Sequence, residues 1–442
     1  MKRLEHILTV MIVFCCIYGV LQYMGVQLPQ IPGMEGVTVA EEETEEEFTE
    51  ELPRRYDLRE TGKQPVVRSQ GGLGTCWAIA ASSALESTLL PEEELVFAAD
   101  HMSLRNSFER SQNDGGDYTM VMAYLTAWQG PVLEEDDPYG DEYSPDHLNP
   151  VKHVQEIQVF KGKNYQKIKE AIYRYGAVQT SIYMDLQSSN SVSEYYNSDT
   201  YAYCYPVAEA ANHDIIIIGW DDDYPAENFR QGVTEDGAFI CQNSWGTKFA
   251  EDGVFYVSYE DAKIGENSVV YTKIEPTDNY DKLYQTDLCG WVGQLGYEKE
   301  SCYFANVYTA DSAQDLKAIG IYALGENTRY RVYVINDYES TIDLVLKKVC
   351  TEGRIANQGF YTIPLEDEIS VEEGEKFAVI VEISTPGTNF PVAVEYKSDE
   401  EDSYIDLSDG EGYISSNGFV WTNAEENYNS NICLKVYADE KQ

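Results

Sequence analysis

The chain has 442 residues, enough for two or three domains with large cores. It carries 31 Lys and Arg against 77 Asp and Glu, and a net charge of −46 repels phosphate backbones, so we expect no nucleic-acid partner. The hydrophobic content of 43% is too high for a disordered polymer, and nine cysteines are too few for a disulfide-stapled scaffold. With only five histidines, any histidine chemistry must come from a short list.

The first 30 residues have the pattern of an export segment. Lys2 and Arg3 precede a mostly apolar run over residues 7–26, and a basic start before an apolar stretch is typical of export. The run is long for the core of a cleaved signal and about long enough to span a bilayer. Residues 1–30 are therefore predicted to be a signal peptide or a retained membrane anchor. Either alternative places the folded protein outside the cell or at the cell surface.

An acidic linker is predicted over residues 31–51. Eight of the eleven residues from 41 to 51 are glutamate. Such a segment repels itself and has little apolar surface to bury, so it favours an extended spacer. We expect the folded protein to begin near Leu52.

A glycine-rich loop that runs into a helix holds a candidate nucleophile. Residues 70–78 read QGGLGTCWA, and apolar residues recur at helical spacing from 75 to 90, just before Pro91. Cys76 would lie in the first turn, where the helix dipole and unpaired N–H groups stabilise a thiolate. The alternative is a buried, inert cysteine, and the glycine-rich turn argues against it by opening the backbone around the sulfur.

Two later segments supply a candidate base and a group that orients it. Residues 212–220 read NHDIIIIGW, which predicts a buried strand beginning at His213, a position where a histidine can also be merely structural. Residues 239–246 read FICQNSWG, a short strand that enters a turn. Asn243 could hold the imidazole in the tautomer that faces a thiol, and Trp245 could shield that hydrogen bond from water.

Together these motifs resemble the papain-like cysteine peptidases, the Cys–His–Asn clan, over about residues 52–262. The glutamine, cysteine-tryptophan-alanine, asparagine-histidine and asparagine-serine-tryptophan-glycine motifs occur in the family's order. The resemblance implies that Cys76 is the nucleophile and that His213 is the general base and acid. It also implies that Asn243 orients His213 and that Gln70 donates to the oxyanion with the Cys76 backbone N–H.

The resemblance extends to further positions. It implies substrate contacts at Gly115, Gly116 and Trp245, although ordinary turn chemistry is the alternative for the two glycines. Asp214 stands where the family usually has a small apolar residue, and on a strand we expect its side chain to point away from the active site. No cofactor and no metal are expected, and the acidic run at 221–223 is interpreted as a solvated turn rather than a calcium site.

Beyond about residue 277, short β-rich runs alternate with turn clusters and predict a β-sandwich. The runs lie at 318–322, 330–335, 344–349, 377–383, 392–396 and 432–437. Residues 280–287, YDKLYQTD, resemble the entrance of the lectin-like domain that follows the peptidase in some bacterial surface members of the family. This implies a cell-surface glycan or cell-wall component as a partner, with a solvated face as the alternative. In an oxidising compartment up to two disulfides could form among Cys289, Cys302, Cys350 and Cys433.

The predicted fold is an α+β papain-like peptidase over residues 52–270, with one helical lobe and one β-barrel-like lobe, followed by the β-sandwich over 277–442. The predicted function is that of an exported cysteine endopeptidase acting on proteins or peptides. The alternatives are an amidase or transpeptidase of cell-wall peptides with the same triad, and a surface adhesin on a papain-like platform. Because the sandwich has apolar runs of its own, it is expected to fold alone and to leave a 52–270 fragment active on short peptides.

Overall fold

The computed structural model describes residues 50–345, 348–398 and 405–441. The export segment predicted at 1–30 and nearly all of the linker predicted at 31–51 lie outside these residues. None of the helices in the described ranges is long and apolar enough to cross a membrane. The two domains predicted from the sequence belong to one compact unit.

The described residues form short helices and many strands. The helices are α1 (Leu58–Thr61), α2 (Cys76–Leu89), α3 (Ala99–Leu104), α4 (Tyr118–Thr126), α5 (Tyr165–Arg174) and α6 (Ala424–Tyr428). The first strands are β1 (Arg55–Asp57), β2 (His153–Lys161), β3 (Val178–Ile182), β4 (Tyr196–Asn197), β5 (Ala202–Tyr203), β6 (His213–Asp221), β7 (Ala238–Gln242), β8 (Val254–Ser258) and β9 (Asn267–Glu275). The later strands are β10 (Lys282–Tyr284), β11 (Gly293–Leu295), β12 (Ser301–Thr309), β13 (Gln314–Ala323), β14 (Thr328–Ile335), β15 (Val349–Ile355), β16 (Gln358–Val371), β17 (Lys376–Ser384), β18 (Val392–Tyr396), β19 (Gly412–Ser415), β20 (Thr422–Asn423), β21 (Ser430–Ile432) and β22 (Leu434–Glu440).

Helix α2 begins and ends within one residue of the predicted span. Its alanines and Leu85 are buried, and small side chains allow the helix to lie close against strand β6. The backbone N–H of Leu90 donates to the carbonyl of Glu86 and closes the last turn, after which the chain continues in an extended conformation. Cys76, the first residue of α2, is therefore fixed against the central sheet.

One sheet carries the candidate base and the asparagine. Its strand order is β10-β22-β13-β16-β2-β9-β3-β6-β7-β8-β5-β4, and β1 also pairs with β6. Strands β6 and β7 are antiparallel, with Ile216 opposite Gln242. The start of β6 at His213 therefore lies beside the end of β7, where Asn243 follows.

The same sheet continues into the C-terminal part through the pairing of β2 with β16. Phe360 lies opposite Ile157, and both side chains are fully buried. Gly359 has φ +153°, and a Cβ there would lie 1.9 Å from the carbonyl oxygen of Ile157, so only glycine allows this approach. The C-terminal part has a core of its own, but Tyr322 and Phe360 belong to the core that contains α2. This arrangement argues against a freely separable sandwich.

The domain boundary predicted at residue 270 falls within this sheet. Residue 270 lies inside β9, which pairs with both β2 and β3, so a fragment that ends there loses half of a central strand. Glu275 is the last residue of β9 and provides a natural end for the peptidase part.

Most of the predicted C-terminal runs are strands. The run at 344–349 is an exception, because Leu344 lies buried in a 3₁₀ turn, Asp343–Val345, and β15 begins only at Val349. The run at 432–437 divides between β21 and β22. Every cysteine of the described residues is free, so the possible disulfides are absent there.

Candidate active site

Cys76 occupies the first position of α2, and the residue is partly exposed. The preceding residue, Thr75, makes no side-chain cap to the helix, and its hydroxyl is hydrogen-bonded to the hydroxyl of Tyr139 instead. Burial and the nearby Asp214 carboxylate raise the pKa of Cys76 to about 11, while the backbone N–H groups of Cys76, Trp77 and Asp214 act in the opposite direction. The helix start therefore provides donors for a thiolate, but not enough to form one unaided.

His213 is held by the side chain of Asn243. The distance from His213 Nε2 to Asn243 Oδ1 is 2.7 Å. The backbone N–H of Ser244 also donates to Asn243 Oδ1, at 2.7 Å, which identifies this atom as the amide oxygen. Nε2 must then carry the proton, and Nδ1 keeps a lone pair with which it can accept one.

The surroundings of His213 disfavour a lone imidazolium. Burial lowers the pKa of His213 to about 4, and the hydrogen bond with Asn243 only partly offsets this effect. Since burial also raises the pKa of the Cys76 thiol, each group alone remains neutral near pH 7. The surroundings of each group therefore favour its neutral form.

The side chain of Gln70 is fixed by the turn that carries Asn243. Ser244 Oγ donates to Gln70 Oε1 at 2.7 Å, and the backbone N–H of Gln70 donates to the Ser244 carbonyl at 2.8 Å. Gln70 Nε2 donates to the Leu73 carbonyl at 2.7 Å. Because the amide nitrogen carries two hydrogens, the second one is available to another acceptor.

An open groove is lined in part by His213 and Gln70. Its volume is about 480 Å³. It is lined by the glycine-rich loop, by a loop after β3 and by the candidate base, in residues Ser69, Gln70, Gly71, Gly72, Leu73, Met184, Leu186, Gln187, Ser188, Ser189, Asn212, His213 and Trp245. The Trp245 ring lies 5.1 Å from the His213 ring, centroid to centroid, so the indole packs beside the base.

Gly115 and Gly116 are not in this lining. Gly74, two residues before Cys76, donates its backbone N–H to the Gln112 carbonyl at 2.9 Å, which brings the following loop against the start of α2. A Cβ on Gly116 would lie 2.5 Å from the Trp77 ring, so glycine allows the loop to pack on the indole. The structure thus packs Gly116 against Trp77 of α2, and the substrate contacts at the two glycines stay a prediction.

The loop after β3 is a part of the groove that the sequence motifs did not reveal. Asn212 Oδ1 accepts from the backbone N–H of Met184 at 2.7 Å, and Asn212 Nδ2 donates to the Met184 carbonyl at 3.2 Å. This pair of bonds holds the loop against the residue that precedes His213. The one sequence feature that could have indicated this loop is Asn212, which belongs to the asparagine-histidine motif.

Asp214, the residue after His213, lies close enough to Cys76 to raise the pKa of the thiol. Its carboxylate is buried and accepts from Gln179 Nε2 at 2.8 Å. The hydroxyl of Tyr271 donates to Gln179 Oε1 at 2.9 Å, which fixes the orientation of this amide. Burial raises the pKa of Asp214 to about 6. Helix α2 packs against β6, so Cys76 is within electrostatic reach of the carboxylate.

The acidic run at 221–223 is paired with cations. In the run at 221–223, Asp222 accepts from Lys169 Nζ at 2.5 Å and from the Tyr259 hydroxyl at 2.7 Å, and Asp223 accepts from Arg54 Nε at 2.9 Å. Across the described ranges, no group of three or more His, Cys, Asp or Glu side chains is placed to hold a metal ion.

Comparisons with known families divide the chain into two parts. Residues 52–274 match the papain family cysteine protease model, and residues 283–438 match the lectin like domain model. The sequence is 26% identical over 233 residues to the cathepsin B-like CP1 of Giardia intestinalis, covering 48% of this chain and 70% of that protein. It is 28% identical over 211 residues to the viral cathepsin of Choristoneura fumiferana defective polyhedrosis virus, covering 46% of this chain and 59% of the viral protein.

Solved structures with both parts show the same fold. Cwp84 of Clostridium difficile, described as a surface layer associated protein with cysteine protease and lectin-like domains, matches with a TM-score of 0.75 and 22% identity over 89% of this chain and 90% of that chain. A structure of clostridial Cwp84 after propeptide cleavage matches with a TM-score of 0.76 and 23% identity over 88% and 99% of the two chains.

Proposed function

The chain belongs to the papain family of cysteine proteases and ends in a lectin-like domain, and on that premise we propose that it is an endopeptidase with Cys76, His213 and Asn243 as its triad. The observation that carries this proposal is the 2.7 Å bond from His213 to Asn243. It leaves Nδ1 of the base unprotonated; His213 and Gln70 line one groove, and β6, which begins at His213, packs against the helix that begins at Cys76.

In the proposed reaction Cys76 is the nucleophile, and His213 acts first as a base and then as an acid. His213 Nδ1 takes the thiol proton, and the Cys76 thiolate attacks the peptide carbonyl. The second hydrogen of Gln70 Nε2 and the Cys76 N–H stabilise the oxyanion. His213 returns its proton to the leaving amine, and water activated by His213 then hydrolyses the acyl-enzyme.

The finer architecture is also part of the proposal. We place the site between a lobe built on α2, α3 and α4 and a β-rich lobe built on β3 and β6–β8. The peptidase part would extend from 52 to 275, followed by a β-sandwich over 277–442. In support, the six-stranded sheet β15-β14-β17-β12-β19-β20 shares a core with β13, β16 and β22.

Cleavage assays separate the proposed function from its rivals. An endopeptidase should cleave casein and a peptide library, and an epoxysuccinyl thiol inhibitor should stop the cleavage. Cleavage of cell-wall peptides but not of casein would favour the amidase or transpeptidase alternative. Glycan binding without any hydrolysis would favour the adhesin, for which the lectin-like domain is the supporting observation.

We propose export to the cell surface as the setting of this activity. The basic and apolar start of the sequence supports it, as does the fold shared with a protein described as surface layer associated. Surface glycan or cell-wall material is the partner proposed for the lectin-like domain. Antibody labelling of intact cells tests the location, and signal only after permeabilisation would contradict it.

Gln70→Ala is expected to lower kcat about 10²–10³-fold with little change in KM, because one oxyanion donor is lost. Steady-state kinetics on a short peptide measures the effect. Gln166→Ala, on the exposed face of α5, is the matched control and should leave kcat unchanged. A fall in kcat of less than tenfold for Gln70→Ala would exclude Gln70 from the oxyanion site.

Asp214→Asn is expected to make Cys76 more reactive. Above the pKa of Asp214, about 6, this carboxylate is charged and raises the pKa of the thiol. Removing the charge lowers the pKa of Cys76, so alkylation by iodoacetamide at pH 8 should be about three- to tenfold faster. Below pH 6 the difference should disappear, because the native carboxyl is then protonated.

A control variant makes this pH test specific. Glu227→Gln removes one exposed negative charge and should leave the alkylation rate unchanged, because solvent and salt screen it. Equal rates for the Asp214→Asn variant and the unmodified protein across the pH range would show that Asp214 does not act on the nucleophile.

A further inference from the structure

A lysine and an aspartate of the lectin-like domain form an ion pair that is closed to solvent. Lys435 on β22 and Asp287, which follows β10, are both 0% exposed. Lys435 Nζ donates to Asp287 Oδ1 at 3.0 Å and to Gln285 Oε1 at 2.7 Å. The two charged residues lie 148 positions apart, so the pair connects the entrance of the domain with its last strand.

The surroundings disfavour a full charge on the carboxyl group. Burial raises the pKa of Asp287, and the charge of Lys435 offsets this effect only in part. Asp287 Oδ2 is buried and has no hydrogen-bond partner among the described residues, which adds to the cost of a buried carboxylate. A neutral product of the two groups would avoid both costs.

The packing around the pair is close and aromatic. Gly320 lies opposite Lys435 in the pairing of β13 with β22, and a Cβ there would lie 3.2 Å from Lys435 Cβ, so glycine leaves room for the lysine side chain. Burial, and after it the charge of Asp287, raises the pKa values of the buried tyrosines Tyr308 and Tyr322. Lys435 is the one cation among the groups that shift the pKa of Asp287, so the amine and the carboxyl group have each other as charged partners.

We propose that Lys435 and Asp287 condense to an intramolecular amide, an isopeptide bond between Nζ and Cγ. A proton passes from the ammonium group to the carboxylate, which leaves a neutral amine beside a neutral carboxylic acid. The lone pair of the amine attacks Cγ, and the bond from Cγ to one carboxyl oxygen breaks. That oxygen leaves as water with the two protons that the nitrogen has lost, so nothing is oxidised or reduced and no co-reactant is needed. The remaining N–H can still donate to Gln285 Oε1.

Position and exclusion of solvent favour this reaction. Groups held in contact reach effective concentrations of about 10⁵–10⁸ M, and a site closed to solvent lacks the water that the reverse hydrolysis needs. The product contains no buried charge and has one carboxyl oxygen fewer, so the oxygen without a partner is no longer present. The bond closes the domain between its entrance and its last strand, where every described cysteine is free and no disulfide does so.

Peptide mapping of the full chain by mass spectrometry tests the bond. Trypsin does not cleave after an acylated lysine, so residues 283–299 and 398–441 should appear as one branched peptide. Its mass should be lower by one water molecule than the sum of the two peptides, and a thiol reductant should not separate them. Lys348 and Asp367 are the internal control, because their Nζ and Oδ2 atoms are also 3.0 Å apart but the pair is exposed. Trypsin should cleave after Lys348.

A matched variant separates the bond from the ion pair. Lys435→Arg keeps a positive charge beside Asp287, but the guanidinium stays protonated and cannot attack a carboxyl group. The variant should give separate peptides and melt several degrees lower, because the native cross-link constrains the unfolded chain. Lys317→Arg, at a partly exposed position of β13, should change neither result. Separate 283–299 and 398–435 peptides at their sequence masses from the native protein would overturn the proposal, and this result does not depend on how the variants fold.

Discussion

The Cys76→Ala protein is expected to fold normally and to lose peptide hydrolysis by on the order of 10⁵–10⁶-fold, the scale found when a protease loses its nucleophile. The thiol is the only atom group lost, and without it no acyl-enzyme can form at the start of α2. Since the side chain is small and partly exposed, the free energy of unfolding should change by no more than about 1 kcal/mol. Turnover of a short peptide and a thermal melt measure the two effects.

Another free cysteine provides the control for this loss. Cys350 lies in β15 of the lectin-like domain and is buried. Cys350→Ala should cost some stability but leave turnover unchanged. Native turnover in the Cys76→Ala protein, or an equal loss in both variants, would contradict the proposed mechanism.

Removal of residues 277–442 is expected to leave a peptidase fragment that does not fold stably. The fragment would lose β16 as the neighbour of β2 and the packing of Phe360 and Tyr322 in the core that contains α2. Each buried aromatic or aliphatic side chain contributes about 1.5–3 kcal/mol. The loss of two or three such contributions is comparable with the free energy of unfolding of a typical protein, about 5–15 kcal/mol. Circular dichroism and thermal melting of the 52–275 fragment test this expectation.

A pair of glycine variants tests the same junction in the full chain. Gly359 and Gly374 both have positive φ, but a Cβ would clash with the Ile157 carbonyl only at Gly359, and at Gly374 it would meet open space. Gly359→Val should therefore destabilise the protein by about 1–3 kcal/mol more than Gly374→Val. A 52–275 fragment with the native melting temperature and native turnover of short peptides would show that the two parts are separable after all.

Local patterns explain what the sequence could predict. The helix at Cys76 follows from 3.6-residue periodicity and Pro91, and its observed bounds differ from the predicted ones by one residue. The strand from His213 and the short strand before Asn243 follow from continuous apolar runs bounded by turns. That these two residues meet at the 2.7 Å bond was expected from the family resemblance, and the antiparallel pairing of β6 and β7 provides the physical reason.

Contacts between distant residues explain what it could not predict. The pairing of β2 with β16 joins segments about 200 residues apart, and no local pattern in either strand specifies it. The position of Asp214 relative to Cys76 depends on how α2 packs on β6. The sequence directed attention to the acidic run at 221–223, which is paired with Arg54 and Lys169.

Peptide mapping by mass spectrometry after reaction with an epoxysuccinyl inhibitor tests the assignment of the nucleophile most directly. With Cys76 activated by His213, we predict one inhibitor molecule per protein, attached to the peptide that contains Cys76, with loss of activity in proportion to labelling. The other cysteines of the described residues are buried, and they should remain unmodified. Complete inhibition with the adduct on any other residue, or full activity with Cys76 fully labelled, would contradict the account.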